Sequence, residues 1–223
     1  MRLLGIETSD MQSSVALFEE GCLHAEDIFY SRMVLCDQLA RRIVAVLEGD
    51  FTLDGIAVSI GPGSFTGLRI GLTTAKALGH SLAVPVAGVN TQHILAAGCG
   101  PAVAPVAVIQ RARRGYVYCG VYSVQGQQVE EIRPVELLDI AAAAGALGDV
   151  QIAVGSGVSS LADEGLLPAD IESAPPSHAV PRASVTIGLA QWTEEYRFDD
   201  VADLKPDYML KSQAERHTGI YVD

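Results

Sequence analysis

Glu7, Thr8 and Ser9 stand together at the end of a short apolar run, Leu3 to Thr8. A carboxylate beside two hydroxyls at a strand end can hold Mg²⁺ or a phosphate. Gly155-Ser156-Gly157 follows a second apolar run, Val150 to Val154, and its backbone N–H groups could face an anion. Arg111, Arg113 and Arg114 form the one dense basic cluster, able to touch nucleic-acid phosphates. A fourth candidate is the glycine segment Ser59-Ile60-Gly61-Pro62-Gly63-Ser64-Phe65-Thr66-Gly67-Leu68-Arg69-Ile70-Gly71, which follows an apolar run and opens a helical pattern.

Several chemistries fail on spacing. A P-loop needs Gly-Lys-Ser/Thr, and the nearest lysine is Lys76, deep in the helix. A dinucleotide fingerprint matches Gly61, Gly63 and Gly67, but Val84 to Asn90 carries no ribose-binding acid. His24, His80, His93, His178 and His217 include no pair three to five residues apart, so a helical zinc site is excluded. No Gly-x-Ser-x-Gly elbow stands in strand-turn-helix context. No metal and no cofactor are expected. A phosphate-handling enzyme would also want glycines between Glu7 and Gln12, and an acid where the second half has Arg111. The Glu7–Ser9 and Gly155–Gly157 loops therefore read as a vestigial nucleotide or phosphate site. The competing reading is a small ATPase or kinase using Glu7.

The elements that must position these groups follow from periodicity. Leu3 to Thr8, Ser13 to Glu19 and Leu23 to Tyr30 read as strands. Arg32 to Glu48 switches to helical period, with Leu35, Leu39 and Ile43 on one face. Ile56 to Ile60 is a buried strand, a helix runs to about Ala83, and Pro85 to Gly88 is a short strand. The second half repeats the order. Val103 to Gln110, Gly115 to Val124 and Gln127 to Arg133 read as strands, and Pro134 begins a helix through Ala146. Val150 to Val154 is a strand, a helix follows Gly157, and Ser184 to Tyr196 is the last helix. Repetition of one unit predicts two similar α/β lobes, residues 1–100 and 101–223, with the last helix expected to pack back on the first lobe.

Composition narrows the class. The 223 residues carry 15 basic and 27 acidic side chains, a net charge of −12. Such a chain repels phosphate backbones at long range, so it is a poor candidate to grip nucleic acid alone. No apolar run reaches the ~18 residues of a membrane span, and no membrane partner is expected. Cys22, Cys36, Cys99 and Cys119 form no CxxC pair and read as buried free thiols of a reducing, cytoplasmic compartment.

Gly63, Gly67, Gly71, Ala75, Gly79 and Ala83 recur every four residues. On a helix this makes one stripe almost without side chains. Each interior glycine costs ~1 kcal/mol against alanine, so close approach of another backbone is the expected compensation. That backbone is either the chain's own sheet or a partner's helix.

Gly61-Pro-Gly-Ser-Phe-Thr-Gly-Leu-Arg-Ile-Gly71 resembles the signature of the TsaB (YeaZ) family. Ile6-Glu7-Thr8-Ser9 with Ser14-Val15-Ala16-Leu17 is similar to that family's opening strands. Ala112-Arg113-Arg114-Gly115 with Val117-Tyr118, Gly155-Ser156-Gly157 and the tail Pro206-Asp207-Tyr208 also match, in order, over nearly the whole chain. The chain departs from the usual pattern at Leu35-Cys36-Asp37, Arg111 and Tyr116. The resemblance implies a duplicated actin-like (ASKHA, ribonuclease H-like) α/β fold of two lobes. It implies a non-catalytic role in making threonylcarbamoyladenosine at tRNA position 37, supporting the paralogue TsaD together with the ATPase TsaE. It further implies homodimerisation, tRNA contact only through the complex, and an interface on the first two helices. Leu35, Leu39, Ile43, Gly67, Leu68, Gly71, Ala75 and Gly79 are the residues expected there.

Overall fold

The structure, a computed structural model, describes residues 1–30, 34–100, 102, 104–126, 128–190 and 203–209. Its first sheet begins with an antiparallel meander, β1 (Arg2–Glu7), β2 (Gln12–Glu19) and β3 (Cys22–Tyr30). The chain then crosses through α1 (Leu35–Val46) to β4 (Gly55–Gly61), parallel to β1. A second crossover, α2 (Phe65–Leu82), delivers β5 (Val86–Asn90) parallel to β4. The strand order is β3-β2-β1-β4-β5.

The second sheet repeats it. β6 (Val106–Arg111), β7 (Tyr116–Gln125) and β8 (Gln128–Asp139) are antiparallel, and β9 (Ile152–Val154) and β10 (Glu172–Ser173) add in parallel. Read from β8, the order β8-β7-β6-β9-β10 is that of the first sheet. Two copies of this mixed sheet, each with crossover helices, make a duplicated actin-like two-lobe α/β fold.

Helices cover both faces of each sheet because the central strands are apolar on both sides. Leu35, Leu39, Ile43 and Val46 of α1 and Leu72 and Ala75 of α2 close on Leu4, Ile6, Val15, Leu17, Ile56 and Val58. α4 (Ile140–Gly145) and α5 (Val158–Asp163) cover the outer face of the second sheet through Ile140, Ala143, Val158 and Leu161.

The other two helices trade places. α3 (Thr91–Gly98), from the first half, puts Leu95 and Ala96 against Val106, Val108, Tyr122 and Val154 of the second sheet. α6 (Ala183–Leu189), from the second half, packs Ala183 and Ile187 on Leu3, Ala16 and Ala57 of the first. A Cβ at Gly5 would lie within 3.0 Å of the Ala183 carbonyl oxygen, so only glycine lets α6 sit this close. The tail follows α6 onto the first sheet. Leu204 lies over Gly88, and the Asp207 N–H donates to the Ile60 carbonyl at 2.7 Å.

Two elements differ from the sequence expectation, and a third lies partly outside the described residues. Residues 134–139 extend β8 instead of starting a helix, and helix α4 begins only at Ile140. The ladder to β7 wins over the helical signal. β8 is an edge strand, and the register shift between Cys119 and Val121 accommodates Pro134, which has no N–H to give. Helix α3 was not foreseen. Asn90 caps it, its Oδ1 accepting from the N–H groups of Gln92 at 2.8 Å and His93 at 3.4 Å. The last helix is described over Ala183–Leu189, and its expected continuation through 191–196 lies outside the described residues, as do Arg32 and Met33 before α1.

Candidate functional site

β1 ends at Glu7, and the next two residues feed the turn to β2, so this corner gathers a carboxyl and two hydroxyls by chain order alone. All three side chains are buried. Glu7 Oε1 accepts from the Ser9 N–H at 2.6 Å, closing a local loop. The Thr8 N–H donates to Ser59 Oγ at 3.4 Å, and Thr8 Oγ1 donates to the Gly67 carbonyl at 2.9 Å. Glu7 Oε2 and Ser9 Oγ have no hydrogen-bond partner among the described residues.

Helix α2 is seated on this corner. Ser64 caps it, Oγ accepting from the Gly67 N–H at 3.2 Å, while the Ser64 N–H donates to the Ser9 carbonyl at 2.6 Å. A Cβ at Gly63 would fall within 3.0 Å of the Ser9 carbonyl oxygen, one at Gly67 within 3.0 Å of the Thr8 carbonyl oxygen, and one at Gly71 within 3.0 Å of Thr8 Oγ1. At Gly79 the neighbour is Val86 Cγ2. The stripe therefore faces the chain's own sheet. Leu35, Leu39, Ile43, Gly67, Leu68, Gly71, Ala75 and Gly79 all lie in the core of this chain, because the small residues admit the β1 backbone and the leucines cover it. Four-residue spacing identifies a shared face but not the direction in which it looks.

The opposite face of the same helices is open. Cys36, Arg69, Ile70, Thr73 and Thr74 line a shallow groove between α1 and α2, and Cys36 is exposed there, where the sequence predicts a buried thiol. One wall is fixed by the tail. Arg69 Nε donates to the Tyr208 hydroxyl at 2.9 Å, its guanidinium lies 4.1 Å from the Phe65 ring centroid, and the Phe65 and Tyr208 centroids are 4.7 Å apart. The sequence shows Pro206-Asp207-Tyr208 as a motif, but nothing in it links that tail to Arg69.

Burial governs the chemistry of Glu7. Loss of water pushes its pKa up from 4.5 to about 7, partly offset by the hydrogen bond from the Ser9 N–H. The unfolded chain releases this proton near pH 4.5 and the folded chain near 7. Between the two the folded state binds more protons, so stability falls as pH rises. The contribution is fully present below 4.5 and lost above 7, a swing of about 3 kcal/mol. Glu7→Gln is expected to flatten that part of the profile. Urea unfolding of both proteins at pH 5 and pH 8 checks it, and equal pH slopes would exclude Glu7 as the source.

The equivalent corner of the second sheet is built differently. β6 ends at Arg111, the counterpart of Glu7 at the end of β1, and Arg111 is exposed. Its backbone N–H donates to Ser156 Oγ at 3.2 Å, and its guanidinium Nη2 and Nε donate to Ser159 Oγ at 2.9 Å and Ser160 Oγ at 3.3 Å. Gly155 and Gly157 lie against the Ile109 backbone, and the Gly157 N–H donates to the Ile109 carbonyl at 2.8 Å. That amide therefore serves the β6–β9 packing instead of facing an open anion site. The Arg113 guanidinium stacks 3.9 Å from the Tyr116 ring centroid. Sequence reasoning noted the arginines and Ser156, but not Ser159 and Ser160, which only the fold brings to Arg111. Helix α3 is joined to the second sheet through buried amides, Gln92 Nε2 donating to Gln110 Oε1 of β6 at 2.9 Å.

The family model described as TsaD: tRNA N6-adenosine threonylcarbamoyltransferase matches residues 35–202. Two proteins named tRNA threonylcarbamoyladenosine biosynthesis protein TsaB are similar in sequence. The one from Bacillus subtilis (strain 168) is 34% identical over 138 residues, covering 60% of this chain and 60% of its own length. The one from Escherichia coli (strain K12) is 34% identical over 134 residues, 55% of each. The matched part thus spans a little over half the length of these relatives. A solved structure described as YeaZ from Pseudomonas aeruginosa superposes with a TM-score of 0.77 at 25% identity, covering 93% of this chain and 99% of that one.

Proposed function

This chain belongs to the TsaB (YeaZ) family, within the wider family that the TsaD model describes, and we propose that it is a non-catalytic partner subunit in the synthesis of tRNA N6-threonylcarbamoyladenosine at position 37. In this reading it supports a TsaD paralogue together with the ATPase TsaE, self-associates as a homodimer in their absence, and works in the cytoplasm. No helix among the described residues is long and apolar enough to cross a membrane.

The observation that carries the non-catalytic part is the state of Glu7. A carboxylate that held Mg²⁺ for phosphoryl transfer would have to be ionised and open to the metal. Glu7 is fully buried, bonded back to Ser9, and held near pH 7 by loss of water. An ATPase or kinase built on Glu7 would have to expose it first.

The partner surface in this proposal is the outer face of α1 and α2, the groove lined by Cys36, Arg69, Ile70, Thr73 and Thr74. Uncharged and small side chains dominate it in a chain of net charge −12, which suits a helix pair of a homologous lobe. Thr73→Arg puts a long cation into that groove at an exposed position. It is expected to leave folding stability within about 0.5 kcal/mol and to abolish co-purification with the TsaD paralogue. Undiminished co-purification would remove the groove from the interface. The functional reading is checked by mass spectrometry of tRNA from cells depleted of the chain. Unchanged threonylcarbamoyladenosine content would overturn it.

A further inference from the structure

Arg2, Arg42 and Arg182 each meet a carboxylate within 4.0 Å. Arg111, Arg113 and Arg114 meet none among the described residues, although acids outnumber bases in the chain. All three side chains are exposed, and they crowd into four residues on the turn between β6 and β7. Locally the turn reverses the sign of the molecule.

The turn is also rigid. The Tyr116 N–H donates to the Arg113 carbonyl at 2.9 Å, and the Ala112 N–H to the Tyr116 carbonyl at 3.1 Å. Gly115 supplies the left-handed residue at φ 78°. Arg111 is held by serine hydroxyls at 2.9 and 3.3 Å, which fix its direction without cancelling its charge. The Arg113 guanidinium carbon lies 3.9 Å from the Tyr116 ring centroid, so a cation and an aromatic ring stand together on the turn. Fixed cations beside a flat stacking surface suit a ligand with anionic oxygens and an unstacked ring. A free phosphate ion would use only the cations.

We propose that the β6–β7 turn is an RNA-contact site, in which Arg111 and Arg114 hold backbone phosphates and the Arg113–Tyr116 stack receives an unpaired base. The inference rests on the tRNA-modification reading for its choice of RNA. The rest of the acidic surface repels the strand, so the site acts at short range, and each phosphate contact makes its grip weaken as salt rises.

The test uses the full chain and an anticodon stem–loop RNA carrying a photoreactive thiouridine in its loop. Binding is followed by anisotropy from about 50 to 200 mM salt. Crosslinks are expected in the peptide containing Tyr116. Arg111→Ala is expected to lower the slope of log affinity against log salt by about 0.7, one single-strand phosphate. Arg113→Ala should weaken binding and lose the Tyr116 crosslink, and Arg41→Ala, the same charge change on α1, should do neither. No binding at about 50 mM salt, crosslinks elsewhere, or an unchanged slope in Arg111→Ala would overturn the site. Displacement of the RNA by millimolar inorganic phosphate or Mg-ATP would overturn it as well, in favour of a free phosphate ligand. Co-purification of the same variants separates the two readings. Retained TsaD association with no RNA contact sinks this inference alone, and the reverse sinks the subunit reading.

Discussion

Gly67→Ala is expected to destabilise the chain by about 3 kcal/mol, the upper part of the range for overpacking a core, with a fall in melting temperature of roughly 6–12 °C. The added methyl would meet the Thr8 carbonyl oxygen, a backbone atom of the segment that leaves the central strand β1. Neither side can yield easily. Thr8 is tied to α2 through Oγ1 and to Ser59 through its N–H. Gly79→Ala is expected to cost less, because its neighbour is the Val86 side chain, which can rotate. Thermal melts of the two variants side by side check both the size and the order. An unchanged melting temperature for Gly67→Ala would mean that α2 does not sit on Thr8 as described. It follows that loss of partner binding in a Gly67 or Gly71 variant would report unfolding, and that the partner surface must be probed at Thr73.

Arg182→Ala is expected to be the second most damaging change, at about 3 kcal/mol, the lower end for breaking a buried ion pair because Arg182 itself is 38% exposed. The loss falls on Glu26. Its side chain is 4% exposed, and its two oxygens accept from Arg182 Nη2 and from the Ser184 N–H at 3.0 Å. Without the guanidinium, a carboxylate is left buried on β3 beneath the start of α6. Glu26→Gln in the same background removes the stranded charge and should restore part of the stability. Urea midpoints of the two single variants and the double variant give the coupling energy. Additive effects would show that the pair does not pin α6 to the first sheet.

The succession of elements along the chain was the most legible part of the molecule. Apolar runs such as Leu3–Glu7 and Val106–Gln110 have one stable use in a chain this size, and their repetition announces the second lobe. Pro134 misled because helix starts and edge-strand bulges both tolerate a missing N–H, and only the neighbouring strand decides between them. The small-residue stripe was legible as a close approach, but its partner was not. The candidate site was half legible. That Glu7, Thr8 and Ser9 sit at a strand end follows from the alternation. That Glu7 is sealed off, and that Ser159 and Ser160 reach Arg111, depends on contacts between residues roughly 50 apart, which periodicity does not encode.

The exchange of α3 and α6 between the sheets has a consequence for synthesis. The first sheet leaves the ribosome with one face covered by α1 and α2 and the other bare, because Gly5, Ala16 and Ala57 wait for Ala183 and Ile187. Ile60 and Gly88 wait longer, for Asp207 and Leu204. At translation rates of about 5–20 residues per second the interval is on the order of ten seconds. During it the first sheet is an unfinished, sticky intermediate, because the residues that complete it, Ala183, Ile187 and Leu204, are made well after its own strands.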